Sequence, residues 1–237
     1  MIKNYINKKI LRLKVSKNIL KLNYFYHKLF GEKNTKSIDL NFTDKPSRIK
    51  IIQDTINRKN YKSFLEIGSY HNELFDNIIC EKKIGVDPYS GGNVRKTSDD
   101  FFLTNKKKFD IIFIDGLHEY KQVKKDIINS AKILNPNGVL MLHDCLPNTF
   151  FHQATPRCQY MWNGDVWRAI VEARTYDDLD TYTCYADFGI GIILKRKNRF
   201  KLNIANKNFS KLKFKDYQEN FKTFMNIIEA KDLNDLF

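Results

Sequence analysis

The chain predicts an α/β fold built on a mostly parallel sheet, with helices on both faces and an antiparallel hairpin near the C-terminus. Three observations predict it. Apolar runs of strand length alternate with helical patterns from Ser63 onward, the mark of successive βαβ units. The run Phe109–Asp115 has the apolar content of a central strand covered on both faces. Two β-type runs, Thr181–Asp187 and Ile190–Lys195, are joined by Phe188-Gly189 alone, which suits a hairpin and is too short for a parallel crossover.

The remaining elements follow in order. From Asn7 to Phe30 the residues Ile10, Leu13, Ile19, Leu20, Leu22, Phe25 and Leu29 recur at helical spacing among lysines, predicting a basic amphipathic helix that Gly31 ends. A polar linker runs to Thr43, and Pro46–Asn57 reads as a second, short helix. This region is expected to pack on the core or on a second subunit in preference to a membrane surface. Ser63–Ile67 is a strand ending at Gly68, a helix covers about Asn72–Cys80, and Lys83–Asp87 is the second strand. Ser98-Asp99-Asp100 reads as the N-cap of a segment reaching Asn105. After the central strand a helix runs from about Glu119 to Leu134, with Asn135-Pro136-Asn137-Gly138 as its stop. Val139–His143 is the next strand, and Asp165 caps a helix through about Thr175. Phe214, Tyr217, Phe221, Phe224, Ile227 and Ile228 predict a terminal helix. The expected organisation is a basic helical extension (1–57), a sheet domain (58–196) and a helical tail (197–237), without internal repeats.

Composition bounds the function. A chain of 237 residues supports one sizeable α/β core with appendages. No stretch approaches the roughly 20 apolar residues that span a bilayer, and lysines interrupt every apolar run near the start, so no signal-peptide core forms. A cytoplasmic location is the expectation. Cys80, Cys145, Cys158 and Cys184 lack metal-knuckle or disulfide spacing and are read as reduced thiols. The net charge of +14 lies wholly in the flanks: residues 1–60 hold 15 Lys/Arg against 4 Asp/Glu, residues 194–237 hold 11 against 5, and the middle is slightly acidic. Such flanks could meet nucleic acid, anionic lipid or a phosphorylated substrate, although the Lys, Asn and Ile bias is also what an AT-rich genome produces.

Open α/β sheets bind ligands beyond the carboxyl ends of their strands. There Gly68 allows a tight turn and close backbone approach, and Asp87, 21 positions after Glu66, can accept hydrogen bonds from ribose hydroxyls. The segments Leu65-Glu66-Ile67-Gly68, Gly85-Val86-Asp87-Pro88, Phe113 to Tyr120, Pro136-Asn137-Gly138-Val139 and His143-Asp144 together resemble the class I methyltransferases, in particular the type 24 branch, over about Ser63 to Lys195. The resemblance implies a Rossmann-like methyltransferase sheet and S-adenosylmethionine as cofactor. It also implies that Glu66, Gly68 and Ser69 hold the methionine part, that Asp87 binds the ribose, that Ser98 and Asp99 lie near the adenine, and that Asp115 borders the same cleft. One departure is the lone Gly68 before Ser69-Tyr70-His71-Asn72, where the family commonly has two or three glycines. Such a loop suits a cofactor without a pyrophosphate and argues against NAD or FAD.

Methyl transfer requires alignment and, for a hydroxyl acceptor, removal of a proton. His118 and His143 fall at strand ends where either could be the base, with Asp144 beside them; the alternative for His118 is merely to order its loop. Asp115, His143 and Asp144 could hold a divalent metal ion, as in the similar macrocin O-methyltransferase and cephalosporin hydroxylase-like proteins, but an imidazole in place of one acid disfavours magnesium. The long connection Leu146–Gly164 is read as an acceptor-binding lid. Arg157, Trp162 and Asp165 would contact a sugar-type acceptor, although Trp162 and Trp167 could equally be core. The leading expectation is an O-methyltransferase acting on a glycan or other small hydroxyl-bearing acceptor. The alternatives are an N-methyltransferase or nucleic-acid methyltransferase docking through the basic flanks, for which the Asn/Asp-Pro-Pro-aromatic tetrapeptide is missing, and a non-catalytic scaffold. A homo-oligomer is compatible with the amphipathic start and the aromatic end.

Overall fold

The structure, a computed structural model, describes residues 17–237. Helix α1 spans Lys17–Phe30, and the Asn7–Ser16 part of the expected first helix lies outside the described residues. The rest of the chain runs α2 (Arg48–Lys59), β1 (Ser63–Ile67), α3 (Glu73–Asn77), β2 (Lys82–Val86), α4 (Ser98–Thr104), β3 (Phe109–Ile114), α5 (Tyr120–Ile133), β4 (Leu134–Leu142), α6 (Phe150–Gln153), α7 (Val166–Ala173), β5 (Leu179–Cys184), β6 (Ile190–Lys195), α8 (Phe214–Met225) and β7 (Ile227–Ile228).

The strands form one seven-stranded sheet in the order β2-β1-β3-β4-β6-β5-β7. β2, β1, β3 and β4 are parallel, so their carboxyl ends share one edge; β6 inserts antiparallel between β4 and β5. This mixed sheet with helices on both faces is Rossmann-like. Period-two side chains divide the core. Phe64, Ile111, Phe113, Val139 and Met141 face the side covered by α2 and α3. Leu65, Ile67, Ile112, Ile114, Leu140 and Leu142 face the side covered by α5, α7 and α8. On that second side Trp167 is fully buried against Tyr217, with ring centroids 4.8 Å apart.

Several local expectations are corrected. The helix predicted over Asn72–Cys80 is only Glu73–Asn77, because the chain is already extended at Ile78. The N-cap before α4 is Thr97, whose hydroxyl accepts the Asp100 amide, so Ser98 is the first helical residue. Asn135–Gly138 does not separate a helix from a strand. It is a bulge inside β4, and Asn135 Nδ2 donates to Asp110 there at 2.7 Å. Ile227 and Ile228 leave the terminal helix through Asn226, in left-handed backbone, and add β7 beside β5. Asp165 precedes α7 without capping it; its carboxylate accepts the Tyr120 amide at 2.6 Å and so caps α5 instead.

No helix among the described residues is long and apolar enough to cross a membrane. Trp167→Ala should destabilise the protein by about 3–5 kcal/mol, read as a lower urea midpoint, because the cavity it leaves lies between α7 and α8.

Candidate functional site

The parallel register carries the functional side chains to one edge. The ladder continues past the strand ends, with Gly68 N–H donating to Val86 O, Asp115 N–H to Ile67 O and His143 N–H to Ile114 O. The turn residues therefore sit side by side. Gly68 has φ +93°, and a Cβ there would lie 2.2 Å from the Asp115 carbonyl oxygen, so no other residue allows the β1 and β3 tips to approach this closely.

Beside this turn Glu66 and Ser69 are buried, and Glu66 Oε2 and Ser69 Oγ have no hydrogen-bond partner. Buried polar atoms are normally paired, and this pair beside a bare turn fits the amino and carboxylate groups of a methionine moiety. Burial pushes the Glu66 carboxyl up to about 7, against a smaller opposing pull from Ser69. Asp87 is 6% exposed, and its carboxylate accepts the amides of Tyr70, Tyr89 and Ser90 at 2.8–3.0 Å. Oδ1 takes two of these bonds and Oδ2 one, so Oδ2 keeps the acceptor capacity a ribose hydroxyl needs. Ser98 and Asp99 begin α4 and share Gln122 Nε2, which is 3.1 Å from each. Asp99 also pairs with Lys125, so both side chains already have partners on α5.

Next to the bare turn lies a charged cluster. His118 Nε2 is 3.1 Å from Asp115 and its Nδ1 is 3.2 Å from Asp144. His143 Nδ1 lies 3.4 Å from Asp115 and 3.5 Å from Asp144, and its Nε2 is 3.3 Å from Asp187. Burial disfavours the charges of Asp115, His118, His143 and Asp187, and the attraction of their neighbours outweighs it. Asp115 is held well below the usual carboxylate range by the two imidazoles, His143 is raised well above the usual histidine value, and His118 is also raised. With Asp144 in left-handed backbone at φ +59°, the exit of β4 is bent to keep its carboxylate in the cluster.

One ligand atom from each of Asp115, His118 and Asp144 lies within 4.8 Å of the others. This donor set fits a divalent cation that tolerates imidazole among oxygens. The expected trio of Asp115, His143 and Asp144 shares both carboxylates with this group: His143 Nδ1 lies 3.4 Å from Asp115 and 3.5 Å from Asp144, while its Nε2 faces Asp187.

The long connection is tied down over this cluster. Gly164 has φ +63°, and a Cβ there would meet the His118 carbonyl oxygen at 1.8 Å. Trp162 stacks on the His118 ring with centroids 5.5 Å apart, and Asn163 Nδ2 donates to Asp144 at 2.9 Å. Arg157 is turned inward, its Nε donating to Gln159 O, and Asp165 is held by Arg168 and Tyr120. A cleft of about 470 Å³ opens beside the cluster, between the 40–47 linker, the lid residues Asn148, His152 and Met161, and the Asp187-Phe188 turn. Arg157, Trp162 and Asp165, the residues expected to contact an acceptor, do not line it.

The sequence reading missed Asp187, Asn163 and Arg48. Asp187 was assigned to a strand, yet it forms the β5–β6 turn, where Asp187, Phe188 and Gly189 all have positive φ. Its Oδ2 accepts the Arg48 amide at 2.6 Å and lies 3.4 Å from the Arg48 guanidinium, which also pairs with Glu73. The signal available was an arginine at the start of a helix, where the free N–H groups attract a carboxylate.

Residues 80–145 match the sequence profile of the methyltransferase domain family, type 24. The matched segment includes Asp87, Asp115, His118, His143 and Asp144. No curated protein matches the chain in a sequence search. Among solved structures, the O-methyltransferase of Bacillus cereus in complex with SAH is 14% identical, covering 82% of this chain and 100% of that one with a TM-score of 0.46. The O-methyltransferase TomG of Streptomyces achromogenes is 13% identical, covering 75% and 89% at 0.48. The SAH-bound methyltransferase PaMTH1 of Podospora anserina is 16% identical, covering 75% and 97% at 0.48.

The raised Glu66 carboxyl gives the site a pH signature. Its ordinary value is 4.5 and its folded value about 7, so the fold disfavours the charged form. The cost is absent below about pH 4.5, grows as pH rises to about 7, and is constant above that. Glu66→Gln should therefore stabilise the cofactor-free protein at pH 8 by roughly 2–4 kcal/mol and change little at pH 4, by urea denaturation. An equal gain at both pH values would assign the effect to packing.

Proposed function

We propose that the chain is an S-adenosylmethionine-dependent O-methyltransferase whose acceptor is a small uncharged molecule bearing hydroxyl groups, of sugar type. The observation that carries this reading is the adjacency of three features: the bare Gly68 turn with its unpaired buried oxygens, the carboxylate–imidazole cluster, and the cleft that Asp187 joins to that cluster.

When bound, the cofactor supplies an electrophilic methyl group. Glu66, Gly68 and Ser69 would hold its methionine end and Asp87 its ribose, with Ser98 and Asp99 toward the adenine. Asp187 is the cluster member that reaches the cleft, so it would orient the acceptor hydroxyl. His118 lies at the rim under Trp162 with 18% of its side chain exposed, whereas His143 is enclosed at 8%. This favours His118 as the proton acceptor and His143 as the fixed positive charge that keeps Asp115, Asp144 and Asp187 in place. With a divalent ion held by Asp115, His118 and Asp144, His118 would be a ligand and no longer the base, and the ion would instead lower the pKa of the hydroxyl.

The acceptor class follows from the charges lining the cleft. Lys45 is paired with Glu229 at 2.8 Å, and Asp187 with Arg48 and His143, which leaves no unpaired cation for a phosphate among the described residues lining the cleft. Neutral groups remain: Asn41, Asn148 and His152, whose buried Nδ1 has no partner and whose pKa burial lowers. Phe42 and Phe188 add apolar faces of the kind that pack on sugar rings.

Isothermal titration with S-adenosylmethionine should show binding that Gly68→Ala and Asp87→Ala each weaken at least about tenfold. Absence of binding by folded wild-type protein would support the non-catalytic scaffold instead. In methyl-transfer assays neutral sugars and phenols should be preferred over sugar phosphates, and Asp187→Asn should lower turnover by about 10–100-fold without loss of folding. Dialysis against a chelator followed by re-addition of manganese or magnesium tests the metal.

A further inference from the structure

The methyl-transfer reading leaves the basic N-terminal region unused. Helix α1 rests on the lid by one face only. Leu20 and His27 are buried, Asn23 Nδ2 donates to Arg157 O at 2.7 Å, His27 Nε2 is 2.8 Å from Pro156 O, and Tyr24 stacks on Phe151 at 4.7 Å. The opposite face is apolar and open. Leu22, Phe25, Tyr26 and Leu29 are 70, 63, 52 and 62% exposed, and their spacing of i, i+3, i+4 and i+7 makes them one stripe. A surface helix normally turns its polar side outward; α1 does the reverse.

The charge beside this stripe is equally one-sided. Lys17, Lys21 and Lys28 are exposed, and at about 100° per residue they fall within roughly 40° of one another along a single flank of the stripe. Residues 1–30 hold eight Lys/Arg and no Asp or Glu, five of the eight within residues 1–16.

We propose that α1 docks the protein on an anionic membrane surface. Leu22, Phe25, Tyr26 and Leu29 enter the boundary between headgroups and acyl chains, and the lysine row meets the headgroups, the arrangement of an interfacial amphipathic helix. The charge pattern disfavours the other occupants. A second copy packed antiparallel on this stripe aligns the two lysine rows, and one packed parallel brings both copies of the basic 1–16 segment to the same end; neither supplies a counter-charge from residues 1–30. A nucleic acid would meet the lysines and leave the aliphatic stripe in water. The inner face of α1 lies on the lid that carries Asn148 and His152 into the cleft, so docking also sets the cleft close to the membrane. The docking itself does not depend on the methyl-transfer reading.

The test is co-sedimentation of the full chain with phosphatidylcholine vesicles, with and without about 30% phosphatidylglycerol. Binding is expected on the anionic vesicles only, and it should weaken when salt is raised from about 0.1 to 0.5 M. Phe25→Ser/Leu29→Ser should reduce partitioning at least about tenfold, and Lys21→Glu/Lys28→Glu about thirtyfold or more. All should keep the wild-type melting curve, and Leu103→Ser, an exposed apolar residue elsewhere, should bind as wild type. Equal partitioning of wild type and both double variants would overturn the proposal. So would a dimer in sedimentation equilibrium that Phe25→Ser/Leu29→Ser dissociates, which would assign the stripe to a second copy.

Discussion

Three carboxylates and two imidazoles share one sheet edge and hold one another there by hydrogen bonds and opposite charge. Burial pulls Asp115 and Asp187 toward protonation and His118 and His143 toward neutrality, yet each is shifted the other way by its neighbours. The cluster is therefore mutually dependent, and removing one member leaves an uncompensated buried charge. The parallel register makes it achievable, because the β3 and β4 tips arrive side by side with Asp115 and His143 in consecutive ladder positions. Arg48 anchors the far side through Asp187, so a helix that precedes the sheet in sequence closes the site.

The same dependence explains the conformation of the lid. A connection that merely covered the cleft would not need Gly164 against the His118 carbonyl or Asn163 on Asp144. These contacts fix the end of the lid to the cluster, while its middle rests on α1 through Phe150, Phe151 and Pro156. The cleft lies between those two attachments, with walls from three distant stretches of sequence: the 40–47 linker, the lid, and the β5–β6 turn. The residues lining the cleft thus lie outside the 80–145 segment that matches the methyltransferase profile.

Most of the sheet was legible in the sequence because period-two burial and strand-end glycines are local signals. Ser63–Ile67, the Phe109 strand and the closing hairpin depend on nothing distant. The bare turn at Gly68 and the carboxylate at Asp87 were legible for the same reason. Asp187 was not, since its role comes from pairing with His143 and Arg48, 44 and 139 positions away. Asp165 is likewise placed by a distant partner, the Tyr120 amide, whereas Arg157 is held locally by Gln159 O. Ile227 and Ile228 continue a helical period, but Asn226 adopts a left-handed conformation and β5 offers an unpaired edge, so tertiary pairing overrides the pattern.

The distribution of charge connects the cleft to the N-terminal helix. The chain carries +14, yet residues 61–193, which supply the strand-tip cluster and the lid, are net negative. Within the site each lining charge has a partner of opposite sign, so the excess of lysine cannot be assigned to gripping an anionic acceptor. It must act elsewhere or nowhere. On α1 the excess is aligned beside an exposed apolar stripe, and an aligned row is what composition bias alone does not produce. A cleft whose lining charges are paired and a cationic flank on α1 are therefore two consequences of one partition, in which the sheet core balances its charges internally and the excess lies on the N-terminal helix.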